Sequence, residues 1–93
     1  MSWNISAMGT KEGVIKKVEA AQLADSYPDV EKQQFAKAKE LLLFTLGNIS
    51  VASSGKGFKV DASGSHYEQK NAEGETDSNN SLNVSIHTIG FDN

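Results

Sequence analysis

The sequence predicts an α+β fold ordered β-α-α-β-β, with two helices packed on one face of a small, mostly antiparallel sheet. Three features carry that expectation. One stretch at the start and two near the end alternate apolar and polar residues, the period of a half-buried strand. Between them lie two runs with apolar residues at helical spacing, separated by Ser26-Tyr27-Pro28-Asp29. The order of these runs puts helices between strands without the strict strand–helix alternation of a parallel sheet.

Trp3-Asn4-Ile5-Ser6-Ala7 reads as the first strand, closed by Gly9. Thr10 supplies an N-cap hydroxyl for a helix over 11–24, with Val14, Ile15, Val18 and Ala21 inward and Lys16, Lys17 and Glu19 outward. Pro28 suits the first position of a second helix, whose positive end Asp29 and Glu31 complement. That helix is expected to reach Gly47 as its C-cap, with Phe35, Ala38, Leu42, Thr45 or Leu46, and Ile49 facing the sheet. After it, 49–52 reads either as a frayed end and loop or as a further strand. Phe58, Val60 and Ala62 alternate with Lys59 and Asp61, and Leu82, Val84 and Ile86 with Asn83, Ser85 and His87, giving the last two strands.

Residues 69–80 interrupt this regularity. QKNAEGETDSNN is polar and acidic, and longer than the two to five residues usual in a hairpin. It is expected to extend beyond the compact body as a loop or as two strand extensions, with Asn79-Asn80 suited to closing a turn. Alternate side-chain oxygens from Asn71 to Asn79 raise calcium as a rival. The spacing fails the EF-hand pattern, so no metal is expected there.

The 93 residues suffice for one domain with one modest core, burying about 60–65% of the unfolded surface. There is no cysteine, which excludes disulfides and thiolate zinc sites. All nine cations are lysines, and the net charge of −3 arises after residue 50. Without arginine, bidentate phosphate and guanine recognition loses its usual donor, so no nucleic-acid partner is expected. The longest apolar run, 41–44, is too short to span a bilayer, so no membrane partner is expected either.

No convergent catalytic set emerges. His66 and His87 lack an accompanying nucleophile motif, and Ser53-Ser54-Gly55-Lys56-Gly57-Phe58 lacks P-loop spacing. No cofactor and no catalytic residue is assigned. Two surfaces stand out instead. At 100° per residue, Phe44 lies opposite Phe35, near Glu40 and Lys37, with Leu41 also off the main stripe, and one helix–sheet contact cannot bury both sides. Either the first helix crosses Phe44 or a second subunit does, so Leu41, Phe44 and Lys37 are the interface candidates. The uncovered sheet face would carry Asn4, Ser6, Lys59, Asn83, Ser85 and His87, with Asp61, as candidate contacts for a small polar, nucleotide-like ligand.

With W-N-I-S-A-M-G at 3–9, A-S-G-S-H at 62–66 and L-N-V-S-I-H at 82–87, the layout resembles small tailed-bacteriophage proteins of unassigned role. These open on a Trp-Asn-x-Ser strand and close on a Ser/Gly-bearing strand pair. The resemblance implies a phage or prophage origin and a non-enzymatic structural or accessory role. The opening MSWNISAMGTK lacks the basic and long apolar segments of a signal peptide, so synthesis in the host cytoplasm is expected, and the interface candidates make a second copy the expected partner. The resemblance adds the virion as a further location and other virion proteins as partners. The acidic stretch at 70–80 departs from the pattern, and no functional residue carries over.

Overall fold

The computed structural model describes residues 1–49 and 56–90. Its elements are β1 (Ser2–Gly9), α1 (Lys11–Ala20), α2 (Asp29–Asn48), β2 (Lys56–Lys70) and β3 (Thr76–Gly90). The strands form one antiparallel sheet in the order β1-β2-β3, and the fold is α+β with the order β-α-α-β-β. Whether 49–52 holds a strand turns on residues 50–52, which lie outside the described residues, as do residues 53–55 of the Ser/Gly stretch.

The helices lie where expected, but their ends differ. Thr10 caps α1, its hydroxyl accepting from Gly13 N at 3.1 Å. α1 stops at Ala20, four residues before the expected Ala24. Lys39 Nζ, reaching across from α2, donates to Glu19 O at 2.7 Å and Ala21 O at 2.9 Å, satisfying carbonyls at the helix end. Pro28 is the N-cap of α2 rather than its first helical residue, with ψ at 156°. Gly47 is not a C-cap: it stays helical, and the chain turns extended at Ile49. Lys11 Nζ donates to Ile49 O at 2.7 Å, so the C-terminal end of each helix is held by a lysine of the other helix.

One core joins the layers. Trp3, Ile5 and Ala7 of β1, Phe58, Val60 and Ala62 of β2, Val14 and Val18 of α1, and Phe35, Ala38, Leu42 and Leu46 of α2 are all buried. Leu46, not the exposed Thr45, occupies the sheet-facing position. Trp3 meets Phe35 edge to face, with ring centroids 5.4 Å apart. The indole lies directly over Gly64, where a Cβ would come within 2.6 Å of three of its atoms. Trp3 Nε1 donates to Gln34 Oε1, and Gln34 Nε2 donates to Ser65 O, both at 3.2 Å. Glycine at 64 is therefore a packing requirement: it makes room for the largest core side chain.

The polar stretch 69–80 is mostly strand. β2 and β3 pair without a break from Lys56↔Gly90 to Lys70↔Thr76. Only 71–75 turns. Asn71 Oδ1 accepts from Glu73 N and Glu75 N at 2.9 and 3.0 Å, and Gly74, at φ 83°, takes the left-handed position. Asn79 and Asn80, expected to close the turn, pair instead with Tyr67 and His66. β1 ends at Ser2↔Ser65, so 66–80 project as a two-stranded arm about 17 Å beyond it. The radius of gyration, 16.5 Å, exceeds the roughly 12 Å of a compact chain this long for that reason.

Candidate functional site

The register sorts every strand residue to one of two faces, since directly paired residues point the same way. Trp3, Gly64 and Leu82 share a row toward the helices, as do Ile5, Ala62 and Val84, and Ala7, Val60 and Ile86. Apolar residues on β3 were expected to be covered like the rest. Instead, Leu82 and Val84 are 42% and 37% exposed, although Ile86 packs against the core. The helical layer lies mainly over β1 and β2, and β3 extends past it.

The neighbouring flank of α2 is equally bare. Leu41 is 43% and Phe44 69% exposed, so α1 does not cross Phe44. Seven residues separate Leu41 from Gln34, about 20° short of two full turns. Gln34 Nε2 lies 3.5 Å from Ser81 O, which fixes that side of α2 as the β3 side. Leu41 therefore lies on the β3 flank of α2, the side of Leu82 and Val84, with exposed Lys37 and Phe44 further out on the helix. Among the described residues, no element pairs with the outer edge of β3. That edge has no bulge, and 81–90 contain no proline, lysine or acid, the usual guards of an open edge. The interface candidates thus adjoin an open strand edge and two apolar residues, Leu82 and Val84, expected to lie under the helices.

On the opposite face, rows form across the sheet from Asn4, Ser63 and Asn83, from Ser6, Asp61 and Ser85, and from Met8, Lys59 and His87. All six ligand-face candidates therefore share one surface. Ser6 Oγ donates to Asp61 Oδ1 at 3.2 Å, and among the described residues no helix packs there. His66 is elsewhere, on the helix side, so the two histidines do not converge.

One buried group escaped the sequence reading. Glu31, taken only as a partner for the helix dipole, is fully buried, and neither carboxylate oxygen has a hydrogen bond. Its signal was legible, because Glu31, Phe35, Ala38, Leu42 and Leu46 form one buried stripe. The Met1 amino group lies 3.5 Å from Oε1. Nearby, His66 Nδ1 donates to Asn80 Oδ1, and Nε2 lies 3.4 Å from Glu68 Oε1. The Asn80 hydrogen bond first, and then Glu68 and Glu31, raise the His66 pKa above the ordinary histidine value against an opposing desolvation.

Comparison of the chain with family models, with curated proteins and with solved structures finds no match. Among the described residues, no helix is long and apolar enough to cross a membrane.

Proposed function

We propose that this is a small, non-enzymatic structural or accessory protein that acts by pairing with a second copy of itself along β3. The observation that carries the reading is the open flank, where Leu82 and Val84 lie bare beside Leu41 and an unguarded strand edge. Antiparallel pairing of β3 with β3 of a second copy follows a two-fold axis perpendicular to the sheet. Such an axis keeps both helical layers on one side and brings the two α2 flanks toward each other. The pair then gains a continuous six-stranded sheet, with Leu41, Phe44, Leu82 and Val84 covered from both sides. The resemblance to small tailed-phage proteins supports a virion or accessory setting, with other virion proteins as further partners.

Sedimentation at micromolar concentration tests this. The expected result is a dimer that both Val84→Lys and Phe44→Glu convert to monomer, with monomer stability within about 0.5 kcal/mol of the parent. A monomer in the parent protein at every concentration would overturn the reading.

A second reading has one observation in its favour, the gathering of Asn4, Ser6, Lys59, Asn83, Ser85 and His87 on one face. A nucleotide-like ligand held there at a hundred times its Kd stabilises the fold by about 2.7 kcal/mol, visible as a thermal shift. The self-association reading expects no shift with any nucleotide.

A further inference from the structure

We infer, resting on the self-association proposed above, that the second copy meets β3 in one register, centred on Val84, and thereby completes a polar row on the open face. Asn71 N donates to Glu75 O at 2.8 Å, and the register runs unbroken from that turn along β2 and β3. Bonding alternates along an antiparallel ladder, so the odd-numbered residues of β3 bond to β2. The bond from His66 N to Met1 O, on the other side of β2, gives the same parity. Even-numbered residues, Leu82, Val84 and Ile86 among them, therefore turn their N–H and C=O groups to the outer edge. Two copies bond there only if even-numbered residues oppose even-numbered ones, which places the two-fold axis on a residue rather than between two.

Side chains choose the residue, because an apolar face that is to be covered sets the register. With the axis on Val84, Val84 opposes Val84 and Leu82 opposes Ile86 of the second copy. Each apolar side chain on the helix side of the strand then meets another. With the axis on Asn83, Ile86 would oppose Asn80; with the axis on Ser85, Leu82 would oppose Thr88. Axes nearer the arm draw the two Asp77 carboxylates together, and like charges directly opposite destabilise a strand pair. On the open face, the Val84 register sets Asn83 beside Ser85 of the second copy in a non-hydrogen-bonded pair, the closer kind. The row of Asn4, Ser63 and Asn83 continues there into Ser85, Asp61 and Ser6 of the second copy. The Asn83 amide gains a serine hydroxyl as its partner across the axis.

The test is disulfide crosslinking of the full chain, which has no cysteine of its own. Asn83→Cys and Ser85→Cys, both on the open face, are oxidised separately and as an equal mixture equilibrated first under reducing conditions. In the Val84 register, residue 83 faces residue 85 with Cα atoms about 4.5 Å apart, within disulfide reach. Like residues lie about 7–8 Å apart on the diagonal, beyond it. The mixture is expected to give a disulfide-linked dimer, and either variant alone at most about a tenth as much. Crosslinking of Asn83→Cys alone would move the axis to Asn83, and of Ser85→Cys alone to Ser85. Either result overturns the inference, as does a dimer that yields no disulfide product in any sample. Sedimentation of the parent protein separates the two levels. A monomeric parent overturns the self-association and this register with it, whereas a dimer crosslinked in another combination overturns the register alone.

Discussion

β1 and β3 flank the same central strand, and both alternate apolar with polar residues. On the helix side, Trp3, Ile5 and Ala7 of β1 are sealed, while Leu82 and Val84 of β3, in the same rows, are open. The difference comes from connectivity. Thr10 alone separates β1 from α1, so α1 settles chiefly on β1, and α2 lies beside it chiefly on β2. Nothing so short ties a helix to β3. The edges differ too: the Tyr27 hydroxyl donates to Ser2 O at 2.9 Å, anchoring the helix connection beside β1, whereas among the described residues no element pairs with the outer edge of β3. Alternation assigns a residue to a face; the length of the connections decides whether anything covers it.

Substitutions of equal kind on the two strands should separate most widely. Trp3→Ala is expected to cost about 3–5 kcal/mol in urea unfolding, because the indole fills the core. Leu82→Ala in the monomer should cost less than about 1 kcal/mol. A comparable loss at Leu82 would break the comparison.

Gly64 tests the seal over β1 more finely. Gly64→Ala puts a methyl group into the Trp3 ring and should cost about 1–3 kcal/mol, read from the denaturation midpoint. Alanine at Ser63, whose side chain points to the open face, should be nearly neutral by the same measurement.

The arm carries the comparison past the end of β1. Replacing 68–78 by Asn-Gly joins Tyr67 to Asn79, two residues already paired in register. Stability should stay level or rise by less than about 1 kcal/mol, since loop-closure entropy changes slowly with length and most of the excised side chains are solvated. Unfolding of the shortened chain would show that the arm supports the core.

The smallest effect concerns pH. The His66 pKa is raised, so protonation favours the folded state: its contribution is present below the ordinary histidine pKa and is lost as pH rises through the raised value. His66→Gln should flatten the fall in stability between mildly acidic and mildly basic pH. A slope unchanged by the substitution would assign it to other groups.

Much of this architecture was legible because it is local. Trp3-Asn4-Ile5-Ser6-Ala7, the Thr10 cap and the stripe from Phe35 to Leu46 act through neighbours within one or two turns, and the structure keeps all three. The polar face was legible for the same reason, since period two and a continuous register suffice to collect Asn4, Lys59 and His87. By itself, the sequence determined the elements, their order and the faces of the strands. Tertiary structure alone decided the rest. The end of α1 depends on Lys39, eighteen residues from the carbonyl of Ala21. The arm is strand because 66–70 and 76–80 find each other across the Asn71–Gly74 turn, despite a composition typical of loops. The exposure of Leu82 and Val84 depends on where two helices come to rest, and the burial of Glu31 on what closes over it. Each is a long-range contact, in which distant groups meet only after the chain has folded and no local preference records the outcome.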